Sequence, residues 1–171
     1  MMVAYYALIG LVACQRLSEL WISRRNARWM LERGGHEVGR GHYPIAVTLH
    51  TTFLASLICE TSLLHKQPAS WWWIPFAAFL LAQALRYWSM ISLGHFWNTR
   101  IFILPGAELI RRGPYRFLHH PNYRAVVVEI VTLPLIVQAY FTAVIFSILN
   151  AVFLTIRIRA EEEALSETTK G

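Results

Sequence analysis

The apolar run from Tyr123 to Ile156 is too long for one crossing of a bilayer, which takes roughly 20 helical residues. Pro134 and the less apolar Gln138-Ala139-Tyr140 interrupt it near its middle, so the economical solution is a helical hairpin of two shorter helices. That constraint matters because each edge of the run carries a dense polar cluster. Gly113-Pro-Tyr-Arg-Phe-Leu-His-His-Pro-Asn-Tyr123 lies on one side and Arg157-Ile-Arg-Ala-Glu-Glu-Glu163 on the other. A chain that goes in and comes back brings both clusters to one water-facing surface.

Three earlier apolar stretches, residues 2–22, 43–64 and 71–93, each match one bilayer thickness as a helix. With 123–137 and 141–156 as the hairpin, the pattern predicts an all-α, polytopic integral membrane protein with five transmembrane helices in one domain over residues 1–171. Hydrophobic residues make up 56% of the 171, more than a soluble core of this size can bury, and seven Trp and seven Tyr suit headgroup depth. Val3 to Ala13 has no basic stretch before it and no small-residue cleavage site after it, so it reads as a retained first helix.

The formal net charge of +6 sits in short Arg clusters between apolar runs. No basic stripe with interleaved aromatics is present, which argues against nucleic acid as a partner and for anionic membrane lipids. Arg24, Arg25, Arg28, Arg33 and Arg40 follow the first stretch, and Arg100, Arg111, Arg112 and Arg116 follow the third, whereas the connector 65–70 carries only Lys66 and His65. The positive-inside rule then puts both Arg-rich segments and the C-terminal tail in the cytoplasm and the N-terminus outside. Cys14 and Cys59 lie inside apolar runs with no CxxC or Cys/His ligand spacing, so neither a disulfide framework nor a metal site is expected.

Ionisable groups inside spans are expensive in lipid and are candidates for function. Arg86, in Leu85-Arg-Tyr-Trp88, wants a carboxylate from Glu129, Glu60 or a bound ligand, so Arg86 and Glu129 are either a structural pair or a substrate site. Arg16 and Glu19 are three residues apart on one helix face and pair locally. His119 and His120 are adjacent and point apart, which suits proton transfer better than metal binding. Pro121 pushes His120 toward an extended conformation and opens a helix, with Tyr123 in its first turn. Three Glu at a helix C-terminal end oppose the helix dipole, an arrangement more natural if something cationic binds there. The glycine-rich segment 34–41 lacks the Gly-Lys-Ser/Thr of a phosphate loop and reads as a flexible cytoplasmic loop.

Gly113-x-Tyr115, then His-His-Pro121-x-Tyr123, an apolar hairpin and Arg157-x-x-x-Glu161-Glu162 together resemble the isoprenylcysteine carboxyl methyltransferase family, over about the C-terminal half of the chain. Glu19-Leu-Trp-Ile-Ser-Arg-Arg-Asn26 and Gly39-x-Gly-His-Tyr-Pro44 look like its bacterial branch, which methylates long-chain pyrones or resorcinols made by type III polyketide synthases, and imply a bacterial cytoplasmic membrane. The resemblance implies S-adenosylmethionine as methyl donor, held by His120, Pro121, Tyr123, Arg157, Glu161 and Glu162 rather than by a Rossmann sheet. His119 stands where the family has Arg, so it could hold the donor's carboxylate only when protonated. The acceptor would be lipophilic, either a prenylcysteine-like carboxylate or a pyrone or resorcinol hydroxyl, the latter with His119 or His120 as base and Arg86 holding an anionic acceptor oxygen. The alternatives are an NADPH-dependent membrane reductase of the related sterol reductase type and a non-catalytic scaffold or transporter.

Overall fold

The computed structural model of the chain describes residues 2–169. It holds five long helices: α1 (Met2–Leu31), α2 (His42–Leu63), α3 (Trp73–Leu93), α4 (Pro121–Leu135) and α5 (Tyr140–Thr169). A short two-stranded antiparallel ribbon, β1 (His36–Val38) and β2 (Ile101–Ile103), pairs His36 with Ile103 and Val38 with Ile101. Single turns of tight helix occupy Gly94–Phe96 and Gly113–Arg116.

Among the described residues three helices are long and apolar enough to cross a bilayer: His42–Leu63, α3 extended to Phe96, and Tyr140–Ser166. Their outer faces carry Ile45, Leu81, Ile91, Phe141, Ile148 and Val152, all exposed, as expected of an integral membrane protein whose solvent there is hydrocarbon. The apolar stretches and the helices do not coincide at every end. α1 continues through Arg24, Arg25 and Arg28 to Leu31, because charge marks where a membrane stops and not where a helix must, and Arg and Ala are good helix formers. α5 likewise runs on through the Arg-Glu tail. The segment 34–41, expected as a flexible loop, contains β1 and is tied to β2 by its ladder.

α4 is the centre of the packing, lying against α3 on one side and α5 on the other, with α5 also against α2. Ile130 and Leu133 of α4 are fully buried in a cluster with Tyr5, Phe53, Leu57, Val137 and Phe146. Just past α4, Val137 donates to the Pro134 carbonyl, and within its last turn the Leu133 carbonyl accepts from the Tyr5 hydroxyl at 3.0 Å. Glu60 of α2 then receives the opening amides of α5, Phe141 at 3.3 Å and Thr142 at 2.8 Å, so a carboxylate caps a helix N-terminus from a neighbouring helix.

Halfway along the bundle an ion network locks α1, α3 and α4 together. Arg86 of α3 donates from Nε and Nη2 to the two oxygens of Glu19 on α1, both at 2.5 Å, in the bidentate geometry a guanidinium favours. Arg16 donates to Glu19 at 2.7 Å and also reaches Glu129 of α4. Gln83 donates to the other oxygen of Glu129 at 2.9 Å, and Gln15 bridges Glu19 and Gln83. The expected partners of Arg86, Glu129 and Glu60, are thus replaced by Glu19. Two Arg and two Glu balance, which is the condition for leaving charges in so apolar a place.

Gly113 shows how closely the turn before α4 sits on α3. Its φ is +59°, and a Cβ there would lie 2.0 Å from the Ser92 Oγ and 3.1 Å from the Trp88 Nε1. Gly113→Ala is expected to cost about 2–4 kcal/mol through a strained φ plus overpacking. Gly10→Ala, in a helix with nothing within 4 Å, should be neutral or slightly stabilising, both read by thermal unfolding in detergent. Within the ion network, Glu19→Leu or Arg86→Met alone should cost about 3–5 kcal/mol, because each leaves an unbalanced buried charge. The double variant restores the balance and should be less destabilised than the sum of the two. Simple additivity in the same unfolding measurement would contradict the network.

Candidate functional site

The two polar clusters that flank the last two helices meet at the end of the bundle where the ribbon lies. His120 adopts the left-handed conformation, φ 50° and ψ 54°, and precedes Pro121 at the first position of α4. The extended backbone expected of a residue before proline does not occur. His is among the residues that tolerate the left-handed well, and that well too avoids the right-handed helix proline disfavours. This sharp turn aims α4 so that Tyr123, in its first turn, faces α5.

Tyr123 is the hub. Its hydroxyl donates to Glu161 Oε2 at 2.5 Å and accepts from Arg157 Nε at 2.9 Å. Arg157 is buried and donates through Nη2 to the Thr99 carbonyl at 2.6 Å, fixing the chain just before β2. The Arg157–Glu161 spacing therefore does not make an ion pair of its own, since Tyr123 stands between the two. His120 Nε2 lies 3.1 Å from Glu162 Oε1, and its ring stacks on that of Tyr123 at 5.5 Å between centroids. Tyr115, on the turn before α4, has its phenol pushed above the ordinary tyrosine range by burial first and by the charge of Glu161 second, so it stays protonated.

Tyr123 and Arg157 open onto a cavity of about 400 Å³ that runs inward to the ion network. Asn98, Thr99, Asn122 and Trp97 line its polar mouth. Leu17, Leu20, Val47, Leu54, Val126 and Leu154 form its apolar wall, and Arg16, Glu19, Arg86 and His50 stand at its inner end. Several polar atoms of the lining residues are buried without a partner among the described residues: the oxygens of the Asn122 and Asn150 amides, Trp97 Nε1, Arg16 Nε and Arg86 Nη1. Buried polar atoms ordinarily have partners, so this concentration in one cavity marks where a ligand's own donors and acceptors fit.

Of the residues expected from the sequence, Arg86, Tyr123 and Arg157 line the cavity, while His120, Glu161 and Glu162 support Tyr123 or sit beside it. Pro121 is buried as the start of α4. Glu129 stands behind Arg16, held by it and by Gln83. His119 is exposed, does not line the cavity, and makes no hydrogen bond among the described residues. Sequence reasoning passed over His50, Asn122, Asn150, Asn98 and Thr99. His50 and Asn150 carried a usable signal, as strongly polar side chains inside helices long and apolar enough to cross a bilayer.

Three comparisons bear on this geometry. Residues 73–167 match the isoprenylcysteine carboxyl methyltransferase (ICMT) family. The uncharacterized protein YpbQ of Bacillus subtilis is 46% identical over 95% of this chain and 97% of its own length. An uncharacterized protein of Haemophilus influenzae is 27% identical over 88% of each chain. No solved structure matches. The matched segment opens at the first residue of α3 and takes in Arg86, the turn at His120, Tyr123, Arg157, and the glutamates Glu161 and Glu162 that contact Tyr123 and His120 respectively. The chain belongs to the isoprenylcysteine carboxyl methyltransferase family.

Proposed function

We propose that this member of a membrane methyltransferase family is an S-adenosylmethionine-dependent O-methyltransferase acting on a lipophilic acceptor. α1 to α5 all span the bilayer in this reading, with the N-terminus outside and the ribbon, the hub and the tail of α5 in the cytoplasm. The observation that carries it is the cavity's two-sided construction. A polar mouth built on Tyr123, Arg157 and Asn122 continues into an apolar wall at membrane depth.

The residues present suit the donor. A cavity of about 400 Å³ falls in the range of roughly 300–1,000 Å³ in which small-molecule sites occur. The partnerless oxygens of Asn122 and Asn150 suit amino groups, and the partnerless Trp97 Nε1 suits an acceptor. Arg157 has no carboxylate within ion-pair distance among the described residues, which leaves it for the donor's carboxylate. Glu161 and Glu162 add negative charge beside a cationic molecule. When bound, the donor supplies an already activated methyl group on a sulfonium. The chain then has to align it with an oxygen and keep water out. The apolar wall serves the second need and gives the acceptor's tail a place against α1, α2 and α5. That tail accompanies a prenylcysteine-like carboxylate or a long-chain pyrone or resorcinol hydroxyl. No feature of the cavity favours the reductase or scaffold alternatives.

Glu161→Gln removes the charge that holds Tyr123 without touching the core. It should weaken S-adenosylmethionine binding about tenfold or more by calorimetry in detergent, with the thermal midpoint unchanged. Arg24→Gln, exposed on α1, should leave affinity unaltered. Donor affinity near that of the unaltered protein in Glu161→Gln would return the glutamates to a solvated helix end.

A further inference from the structure

α1 presents a face that no other described element covers. Its inward side is the row Glu19, Ser23, Asn26 and Met30, all buried against the rest of the bundle. At about 100° per residue, Leu17, Trp21, Arg24 and Arg28 lie directly opposite that row. All four are exposed, Leu17 at 66% and Trp21 at 64%. The same outer row continues back toward the start of α1 through Ala7, Gly10 and Cys14, also exposed, and a Cβ placed at Gly10 would meet nothing within 4 Å. Small side chains thus leave a shallow apolar track, which ends in a leucine, then an indole, then two guanidiniums. A phospholipid has that order from its chain end outward: hydrocarbon, the ester level where tryptophan rings settle, and phosphate.

The cations on this face are uncommitted. Arg24, Arg28 and the neighbouring Arg25 are exposed and make no ion pair among the described residues. Arg33, the next cation along, is by contrast held by Glu32 at 3.9 Å and lies 4.1 Å over the Trp29 ring. A track of small residues also suits a second copy of the chain. Two copies oriented alike in one bilayer and joined along this face by a two-fold axis would set Arg24 and Arg28 against their own counterparts, and like charges repel. A soluble polyanion would satisfy the guanidiniums and leave Leu17, Trp21 and the track bare. One molecule carrying both a negative phosphate and a hydrocarbon chain satisfies the whole face.

Taking α1 to span the bilayer as in the arrangement above, we propose that this face is a binding site for an anionic glycerophospholipid of the leaflet on the ribbon's side. Arg24 and Arg28 hold its phosphate, with Arg25 beside them. Trp21 meets its ester region, and one acyl chain lies along Leu17, Cys14 and Gly10. A lipid that binds the folded chain at one site also raises its stability by linkage.

The test titrates full-length protein in detergent with dioleoylphosphatidylglycerol and with dioleoylphosphatidylcholine, which share their acyl chains and differ in net charge. Native mass spectrometry counts the lipid retained. The first phosphatidylglycerol should bind at least about tenfold more tightly than phosphatidylcholine. Arg24→Gln combined with Arg28→Gln should weaken phosphatidylglycerol binding about 30-fold, or about fivefold per arginine, and leave phosphatidylcholine binding unchanged. Arg40→Gln combined with Arg111→Gln removes the same charge from two other exposed arginines and should change it by less than about twofold. Phosphatidylglycerol brominated next to its ester should quench the fluorescence of the unaltered protein more than that of Trp21→Phe. Equal weakening by the two double variants, or equal quenching in Trp21→Phe, means a diffuse field of charge and overturns the site. So does tighter binding of heparin or glycerol phosphate than of phosphatidylglycerol, and so does a dimer that the α1 double variant alters in place of a lipid adduct. Should that variant fail to fold, equal affinity of the unaltered protein for the two lipids overturns the site by itself. Donor binding and methyl transfer are separate readouts, so loss of the lipid site with both intact leaves the methyl-transfer reading standing.

Discussion

An ion network in the middle of an apolar bundle is the constraint on which the rest of the structure depends. Arg16, Glu19, Arg86 and Glu129 come from three helices, and none of them can sit at that depth without the others. Apolar packing alone is a weak guide to how helices register in lipid, because hydrocarbon outside is as good a solvent as the neighbouring helix. A bidentate guanidinium has one good geometry. It therefore fixes α1 against α3 and, through Arg16, α1 against α4. That registration determines the width of the space between the helices, and the cavity is that space.

From this frame the hub at Tyr123 follows. With α4 held, the left-handed turn at His120 delivers Tyr123 to the face of α5 on which Arg157 and Glu161 lie one turn apart. Arg157 carries the constraint outward to Thr99 and the ribbon, whose other anchor is the Ser23 hydroxyl on α1, 2.6 Å from Asn98. The mouth of the cavity is thus braced by α1, α4, α5 and the segment leading into the ribbon. In the proposed reading a water-soluble donor and a lipid-soluble acceptor have no common solvent, and a cavity with one polar and one apolar half would be a physical reason for such chemistry to occur in a membrane protein.

Much of this was legible in the sequence, and the failures are instructive. The apolar runs located α2 and α3 closely, and Pro134 with the polar Gln138 located the break between α4 and α5, because both signals are local. The partner of Arg86 was not legible. Glu19, Glu60 and Glu129 are equivalent by composition, and only the packing of α1 beside α3 selects Glu19. Nor was it legible that a tyrosine from another helix would stand between Arg157 and Glu161. The family motif pointed to the hub and not to the inner end of the cavity. His50 and Asn150 lie outside the motif's polar clusters, and their one local mark was a strongly polar group inside a helix long and apolar enough to cross a bilayer.

The central claim is that donor and lipophilic acceptor meet in this cavity, and the most direct measurement is transfer of label. Purified protein incubated with methyl-labelled S-adenosylmethionine and a membrane lipid extract is predicted to give a labelled product that partitions into organic solvent, and Tyr123→Phe should reduce it. No labelled lipid, together with no measurable donor binding, would contradict the account.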